Sequence, residues 1–408
     1  MNASDPSLLT TAIHADAWLL DPDVTFLNHG SFGACPLDVL DRQREIQTLL
    51  EREPVDFLVR RMTPLLDESR DTLAELIGAD PADVVFVQNT TAGVNAVLRS
   101  LKFRPGDEIL VTAHDYNACR NVVRFVAGQT GAVVVEAELP LPVDSPRQVV
   151  DAVLTRATPR TRLALLDHIT SPTALIFPIA ELVAELNRRG IDTLIDGAHA
   201  PGMTPLDMKR LGATYYTGNC HKWLCAPKGA GFLHVRSDRQ ADIQPPIISH
   251  GWNRPRPGYS PFQDAFDWPG TLDPSPWLCV GEAIRFVSRL MPGGLAALME
   301  RNHALAMLGR QILCQRLGLV PVGQEPMLGS MAAVILPQAL ALRHLGSQRP
   351  DVPDNVGLHD ELLNRHNIEA PTYCWPAAPQ TILRISAQAY NEAAHYERLA
   401  AALEQMLD

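Results

Sequence analysis

The sequence predicts an α/β fold in which a large domain contains a mainly parallel seven-stranded sheet between helices, followed by a smaller α+β C-terminal domain. Two observations support this prediction. From about residue 83, short apolar runs alternate with helical stretches over about 150 residues, an order that is typical of parallel sheets. These runs are apolar at nearly every position, as expected of strands that helices cover on both faces.

The predicted elements follow in chain order. Apolar residues at helical spacing predict helices over residues 38–53 and 65–77. Seven apolar runs predict strands over residues 84–87, 109–112, 133–136, 163–166, 193–195, 215–217 and 231–235. Residues 244–276 are dense in Pro, Gly and aromatic side chains and predict a long loop without helix or strand. Beyond it we expect helices over 278–290, 294–317 and 391–407 and strands over 332–336 and 382–385. This order divides the chain into an N-terminal segment (1–35), a large domain (36–275) and a small C-terminal domain (276–408).

Composition and charge restrict the partners and the compartment. A net charge of −11 and a pI near 5.6 argue against nucleic acid or an anionic membrane as a partner. No run of about 18 apolar residues predicts a membrane span, and the start MNASDPSLLT lacks the basic and apolar segments of a signal peptide. Seven scattered cysteines indicate no disulfide framework and fit a reducing compartment. We therefore expect a cytoplasmic protein.

The segments IDTLIDGAHAPG and TGNCHKW place an acid, a histidine and a lysine after two successive strands. Asp196 ends one predicted strand and His199 follows it, whereas Lys222 lies beyond the next strand between His221 and Trp223. A lysine can hold an aldehyde coenzyme as a Schiff base, and a carboxylate that keeps a pyridine nitrogen protonated makes the ring an electron sink. The alternative is a turn aspartate and an unrelated lysine.

Two further segments could serve the same coenzyme. In QNTTAGVN, Thr90 and Thr91 open a helix after a strand, where backbone N–H groups and the helix dipole favour a phosphate. The alternative there is an ordinary helix N-cap. In VTAHDYNA, His114 and Tyr116 follow a strand, and the flat ring of Tyr116 could stack on the coenzyme. The alternative is a tyrosine half-buried at a helix start.

The motif set NTTAGVN, HDYNA, DGAHAPG, YYTGNCHKW, PGT and LRISAQAYN resembles the class V aminotransferase family of fold type I pyridoxal-phosphate enzymes. FLNHGSFGACP and TGNCHKWLCAPKG are most similar to the isopenicillin N epimerase-like group, which also contains C–S lyases. The motifs keep their order from about residue 25 to about residue 396. The resemblance implies pyridoxal 5'-phosphate as cofactor, an amino acid or amine as substrate, and a homodimer with shared active sites.

The resemblance also implies roles for individual residues. Lys222 is expected to bind the cofactor and move the α-proton, Asp196 to pair with the ring nitrogen, and His199 to lie near the phenolic oxygen. Arg384 in LRISAQAYN is expected to bind the substrate α-carboxylate through its fork of donors. The segment 1–35 is expected to reach the active site and contact the substrate through Asn28 and His29. The other implied cofactor contacts are Thr90, Thr91, Ala92, Tyr116, His168, Asn219, His221, Gly270 and Thr271, the last two reaching the phosphate of the neighbouring subunit.

The cysteines are the main departure from the desulfurase branch of the family. Cys374 precedes Arg384 by ten residues in TYCWPAAPQ, but no histidine adjoins it, and we interpret it as structural. Cys220, His221 and Cys225 lack a second ligand pair at zinc-like separation, so no metal site is predicted.

The sequence leaves three functions open. The first hypothesis is an isopenicillin N epimerase-like reaction at the α-carbon of an amino acid or aminoacyl substrate. The second is a β-elimination of the C–S lyase or cysteine desulfurase kind, and the third is a non-catalytic protein with the same fold. The choice between the reactions depends on where additional acids and bases stand to within about an ångström.

Overall fold

The computed structural model describes residues 9–346 and 357–407 and contains two main sheets. Its strands are β1 (Thr25–Phe26), β2 (Val84–Val87), β3 (Glu108–Thr112), β4 (Val133–Ala137), β5 (Thr161–Asp167), β6 (Asp192–Gly197), β7 (Tyr215–Asn219), β8 (Gly231–Val235), β9 (Val320–Pro321), β10 (Met331–Ile335), β11 (Ile368–Glu369), β12 (Thr372–Cys374) and β13 (Thr381–Ser386).

Helices cover these sheets along the chain. They are α1 (His29–Phe32), α2 (Leu37–Arg52), α3 (Pro54–Asp56), α4 (Met62–Ile77), α5 (Thr90–Ser100), α6 (Asn117–Thr130), α7 (Pro146–Arg156), α8 (Ile179–Arg188), α9 (Met208–Leu211), α10 (Pro261–Asp267), α11 (Ser275–Leu278), α12 (Val280–Arg289), α13 (Gly294–Leu317), α14 (Gln338–Gly346), α15 (Gly357–His366) and α16 (Ala393–Leu407). No helix in the described ranges is long and apolar enough to cross a membrane.

The larger sheet has the strand order β2-β8-β7-β6-β5-β3-β4, and β8 alone runs antiparallel to its neighbours. Successive residues of a strand point to opposite faces, so Leu165 joins the hydrophobic core on one face and Leu166 the core on the other. Full burial of such a leucine contributes about 1.5–3 kcal/mol. The predicted mainly parallel seven-stranded sheet between helices is confirmed.

One strand departs from the predicted burial on both faces. Val133 and Val134 of β4 are exposed, because β4 lies at the edge of the sheet and lacks cover on one side. An apolar run alone does not distinguish a central strand from an edge strand.

The smaller sheet is antiparallel, with the order β12-β13-β10-β9, and helix α13 packs against β10 and α16. A separate parallel pair, β1 with β11, ties the N-terminal segment to this C-terminal part of the chain. These elements agree with the predicted smaller α+β unit. The boundaries at residues 35 and 275 stay a prediction.

The proline-rich stretch 244–276 is not entirely irregular, and the prediction of a loop without helix was wrong for α10. Ser260 accepts a hydrogen bond from the backbone of Gln263, whose side chain accepts one from the backbone of Ser260. This capping box and Pro261 at the first helical position start the helix. Both signals were present in the segment YSPFQDAFD but were outweighed by the surrounding Pro and Gly residues.

The carboxyl ends of neighbouring strands bring the predicted motif residues together. Strand β2 ends just before Thr90, β6 contains Asp196, and β7 ends at Asn219, three residues before Lys222. In open parallel sheets this edge is where ligands bind.

Candidate active site

Lys222 lies in a buried position beyond the end of β7. Its Nζ is 3.1 Å from Nε2 of His199. Burial, and after it the positive charge of Arg384, lower the pKa of Lys222 to about 7, against the opposing effect of Asp196 and Asp167. Near neutral pH a large share of the molecules therefore presents an uncharged amine, which is the nucleophilic form of lysine.

Asp196 lies at the end of β6 and keeps two hydrogen bonds. One oxygen accepts from the backbone N–H of Ala198 at 3.0 Å, and the other accepts from the thiol of Cys119 at 3.1 Å. Burial raises the pKa of this carboxyl above its usual value. A cationic group that approached Asp196 would relieve the cost of keeping it charged in this environment.

Two further buried carboxyl groups accompany Asp196, and the sequence did not single them out. Asp167 is the partner of Asp196 across β5 and β6, and Asp115 accepts two hydrogen bonds from Thr112. Burial raises the pKa of Asp115 to about 7, and burial together with repulsion from Asp196 and Asp115 raises that of Asp167. Among the described residues, Oδ1 of Asp167 has no hydrogen-bond partner. The signal for Asp167 was its place directly after the apolar Leu165 and Leu166 in LLDHITSPT, which corresponds to the place of Asp196 in LIDGAHAPG.

The first turn of α5 presents backbone N–H groups beside the end of β7. Asn89 caps the helix by accepting from Ala92 N at 2.9 Å, and Asn219 accepts from Thr90 N at 2.9 Å. The hydroxyl of Thr90 is buried without a hydrogen-bond partner in the described part of the chain. The structure thus brings Thr90, Thr91, Ala92 and Asn219 to one place, with an unused donor at a helix N-terminus that suits an anion.

His221 and the loop at Gly270 flank this helix start. Nδ1 of His221 donates to the carbonyl of Ala230 at 3.0 Å, which leaves Nε2 as the free nitrogen. Gly270 and Thr271 line a cavity of about 270 Å³ together with Ala92 of the same chain. Their predicted contact with a neighbouring subunit stays a prediction.

Arg384 of β13 is fully buried at the meeting point of the two ends of the chain. Its guanidinium donates to the carbonyl of Ser171 at 2.7 Å, to Oδ1 of Asn28 at 3.0 Å and to Oγ of Ser31 at 2.8 Å. Its Nε–H is buried without an acceptor among the described residues. A cation held in place by neutral oxygens, with a donor still unused, suits a carboxylate ligand. The structure therefore places Asn28 beside Arg384, as the resemblance implied.

His29 lies behind the lysine. Its Nε2 donates to the backbone carbonyl of Lys222 at 3.0 Å and its Nδ1 accepts from the hydroxyl of Tyr390 at 2.8 Å. Burial lowers the pKa of His29 to about 3, so the ring is neutral. In this arrangement His29 supports the backbone of Lys222, and its predicted contact with substrate stays a prediction.

The rings of Tyr116, His168 and His114 differ in how far they are buried. Tyr116 is 46% exposed and precedes α6, which leaves a face of its ring accessible. His168 is buried against the hydroxyl of Tyr216 at 2.8 Å, and His114 against Thr173 at 2.8 Å. Tyr116 thus remains the candidate for stacking on a flat ligand, as predicted.

The cysteines singled out in the sequence lie in regular or buried structure. Cys374 is half-buried in β12, opposite Thr381 of β13, whereas Cys220 and Cys225 are buried. Across residues 9–346 and 357–407, no three His, Cys, Asp or Glu side chains form a group that could hold a metal ion.

These features fit a coenzyme with an aldehyde, a ring nitrogen and a phosphate. Lys222 offers an amine whose pKa is lowered to about 7, Asp196 a buried carboxyl with a raised pKa, and Thr90 a hydroxyl at the start of α5 that has no hydrogen-bond partner among the described residues. The three groups lie at the carboxyl edge of the same sheet.

Comparison with known proteins agrees with this chemistry. The sequence model of the class V aminotransferase family matches residues 36–338. The isopenicillin N epimerase of Amycolatopsis lactamdurans is 37% identical over 95% of this chain and 96% of its own length. A probable chloroplastic L-cysteine desulfhydrase of Arabidopsis thaliana is 33% identical over 95% of this chain and 84% of its own.

Among solved structures, the complex of the cystine C–S lyase C-DES with its product cysteine persulfide is similar with a TM-score of 0.78. It is 22% identical, and the match covers 94% of this chain and 97% of that one. This likeness shows that the two proteins share a fold. The chain therefore belongs to the class V aminotransferase family and is a pyridoxal-phosphate-dependent enzyme with the type I fold.

Proposed function

We propose that this enzyme removes and returns a proton at the α-carbon of an amino acid or aminoacyl substrate, as an isopenicillin N epimerase-like enzyme. The observation that supports the proposal most directly is the buried amine of Lys222, which lies 3.1 Å from His199 and has its pKa lowered to about 7. A base works best at neutral pH when its pKa is near 7.

The cofactor, when bound, supplies a ring that accepts electron density from the α-carbon. In the proposal Lys222 holds the cofactor and moves the α-proton. Asp196 pairs with the ring nitrogen, because a buried carboxylate needs a cationic partner. His199 contacts the phenolic oxygen, with His168 as the second candidate for that contact, and Tyr116 stacks on the ring. The phosphate contacts are Thr90, Thr91, Ala92, Asn219 and His221, together with Gly270 and Thr271.

Arg384 orients the substrate in this proposal. Its unused Nε–H and its buried positive charge would bind the α-carboxylate, and Asn28, Ser31 and Ser171 hold the guanidinium in place. A carboxylate fixed there limits the rotation of the α-carbon relative to Lys222. Proton transfer then occurs without a search through other orientations.

β-Elimination of the C–S lyase kind is the second candidate, and the similarity to L-cysteine desulfhydrases favours it. Transfer of a substrate sulfur atom to Cys374, as in a desulfurase, is less well supported. Cys374 lies in strand β12, where its backbone pairs with that of Thr381 in β13. A thiol that carries sulfur between sites needs access and movement.

The proposal is tested by following the α-proton. The purified enzyme is incubated in deuterated water with isopenicillin N, cysteine and a panel of amino acids, and the substrates are analysed by NMR and chiral chromatography. We expect α-deuterium exchange with inversion for at least one substrate, without release of sulfide or pyruvate. Sulfide with pyruvate would establish the lyase instead, and the absence of exchange with every substrate would reject the α-carbon reaction.

The role of Lys222 is tested separately by absorbance. Lys222→Ala should lose the visible band of the lysine-bound cofactor. Lys228→Ala is a control at a second lysine of the same segment, because the Lys228 side chain is exposed and donates to the backbone carbonyl of Gly33. It should retain the band. Retention of the visible band in Lys222→Ala would contradict the assignment of Lys222 as the lysine that binds the cofactor.

The proposal includes a homodimer in the cytoplasm, with no nucleic acid or membrane partner. Ile247, Ile248 and Trp252 are exposed apolar residues in the same stretch as Gly270 and Thr271. Their burial by a second subunit would remove apolar surface from water and bring the two loops towards shared sites. Sedimentation velocity of the wild type and of Ile247→Asp tests this, since the substitution should weaken a dimer formed through that surface.

A further inference from the structure

Trp223, the residue after the lysine, contacts the second nitrogen of His199. The indole ring is buried, and its Nε1 lies 3.4 Å from Nδ1 of His199. An indole nitrogen can donate a hydrogen bond but cannot accept one. Nδ1 of His199 must therefore be the acceptor in this pair.

This contact determines which tautomer of His199 is present. Burial lowers the pKa of His199 well below its usual value, and the positive charges of Lys222 and Arg384 lower it further, so the ring is neutral. A neutral imidazole carries one N–H. Because Nδ1 accepts from Trp223, the proton must be on Nε2, the atom that lies 3.1 Å from Nζ of Lys222.

The position of the indole is itself fixed by its neighbours. His29 packs on Trp223 with ring centroids 4.9 Å apart, and the same His29 donates to the carbonyl of Lys222. A rotation of the indole would therefore disturb the backbone of the lysine. The contact between Trp223 and His199 is thus part of the rigid surroundings of Lys222.

Resting on the proposed function, we propose that Trp223 is a positioning residue that fixes the Nε2–H tautomer of His199. His199 then presents a donor, and not a lone pair, to the acceptor atom of the cofactor next to Lys222. The phenolic oxygen of pyridoxal phosphate is on the ring carbon next to the one that carries the aldehyde to which a lysine binds. As an anion it needs a donor in this position.

The opposite tautomer would disfavour the cofactor. With the proton on Nδ1, the lone pair of Nε2 would face the anionic oxygen, and two acceptors in contact repel each other. His199 could change to the other tautomer on binding only if Nδ1 released its proton and Nε2 gained one. Trp223 removes this requirement in advance, which is preorganisation of a hydrogen bond before the ligand arrives.

The first test reads the tautomer in the cofactor-free protein. With ¹⁵N-labelled histidine, the two ring nitrogens of each of the 13 histidines give separate long-range proton correlations. The signal that is missing in His199→Gln identifies His199. We expect the wild type to show a protonated Nε2, and Trp223→Phe to show a mixture or the Nδ1–H form. A protonated Nδ1 in the wild type, or an unchanged tautomer in Trp223→Phe, would overturn the proposal.

The second test measures how the cofactor responds. Trp223→Phe should weaken cofactor binding roughly three- to tenfold, the size expected for loss of the neutral hydrogen bond from Trp223 that favours the Nε2–H tautomer, and should raise the pH at which the visible band changes. The titratable and charged groups that act on His199 and Lys222 are unchanged in Trp223→Phe; besides that pair they are Arg384, His29, His221, Asp196, Asp167 and Cys119.

Two variants separate this role from simple packing. Trp18→Phe removes another buried indole, whose Nε1 has no partner among the described residues, and it should leave the His199 signal and the cofactor affinity unchanged. In a His199→Gln background, whose amide can donate without help from an indole, Trp223→Phe should add less than a twofold effect. An equal loss in both backgrounds would show that the indole acts by packing alone.

These outcomes are distinguishable from failure of the proposed function. If the enzyme loads cofactor but exchanges no α-proton, the proposed reaction fails while the tautomer measurement stands. If the wild type exchanges the α-proton but His199 carries its proton on Nδ1, the reaction stands and the role of Trp223 fails.

Discussion

Lys222 should capture the cofactor with a midpoint near pH 7, far below the pKa of 10.5 of an ordinary lysine. Burial is the larger cause and the charge of Arg384 the second, and both outweigh the attraction to Asp196 and Asp167. At pH 7.5, a pKa of about 7 leaves roughly three quarters of the molecules with a neutral amine, against about one in a thousand for an ordinary lysine. The nucleophile is therefore several hundred times more abundant, by order of magnitude.

The assay is stopped-flow absorbance with cofactor-free enzyme mixed with pyridoxal phosphate between pH 5.5 and 9.5. Ionisation of the cofactor also changes the rate with pH. Its effect is removed by dividing each rate by the rate at which butylamine reacts with pyridoxal phosphate at the same pH, after correction for the neutral fraction of butylamine. The corrected rate should rise with pH to a plateau above about pH 8, since deprotonation of Lys222 is then complete. A rate that keeps rising beyond pH 9 would refute the reasoning.

Arg384 provides an independent check of the cause. Arg384→Met removes the positive charge that lowers the pKa of Lys222, so the midpoint should move to higher pH. Arg384→Lys keeps a positive charge in the same region and should leave the midpoint closer to that of the wild type. If both variants kept the midpoint of the wild type, burial alone would account for the lowered pKa and the electrostatic part of the argument would be wrong.

Three further outcomes follow from the structure. Asp196→Asn should still bind the cofactor but lose about 100-fold or more in α-proton exchange measured by NMR, because a neutral amide does not stabilise a protonated ring nitrogen; an unchanged rate would exclude the pairing. Arg70→Met should cost about 1.5–3 kcal/mol in urea unfolding, because it removes one charge-assisted hydrogen bond to the buried Asp267, which keeps Arg256 as an ion-pair partner, whereas Arg147→Met at the exposed pair with Asp151 should leave the unfolding midpoint close to that of the wild type. Cys374→Ser should keep the α-proton exchange of the wild type, and loss of exchange would make the thiol a participant.

The sequence predicted the strands well where an apolar run and the hydrogen-bond ladder end together. β2 and β8 begin and end at the predicted residues, and polar residues limit β2 at Asp83 and Gln88 and end β8 at Arg236. β5 and β6 are longer than predicted, since their ladders continue into polar residues at both ends. At the carboxyl end these additional residues include Asp167 and Asp196. The ends that hydropathy misses are thus the ends that form the site.

Most of the predicted site residues lie in short motifs beside strand ends, whereas Gly270 and Thr271 lie in a loop after α10 and Arg384 lies within β13. The contacts that position them are not local in this way. Cys119 reaches Asp196 across 77 positions of the chain, and Arg384 reaches Asn28 across 356. Such pairs depend on how α6 crosses the sheet and on how the two chain ends meet. A single sequence contains no local pattern that specifies either.

The buried carboxyl groups and the neutral lysine behave as one electrostatic unit. Burial raises the pKa of Asp115, Asp167 and Asp196 and lowers that of Lys222, so it favours the uncharged form of each of these four groups. A carboxyl whose folded pKa exceeds its unfolded value of about 4 loses stabilising free energy as the pH rises between the two values. For Asp115 this window ends at about 7.

In the proposed function, a protonated ring nitrogen beside Asp196 would change this balance. It would supply a cation to the carboxyl cluster, since burial favours the neutral form of Lys222 and the guanidinium of Arg384 donates to the neutral oxygens of Asn28, Ser31 and Ser171. A buried charge is tolerated when it is paired, so the same carboxyl that destabilises the cofactor-free protein near neutral pH favours the cofactor in its protonated form. Because protonation of the ring is what makes it an electron sink, the electrostatic cost of the empty cluster and the reactivity of the loaded enzyme have one physical origin.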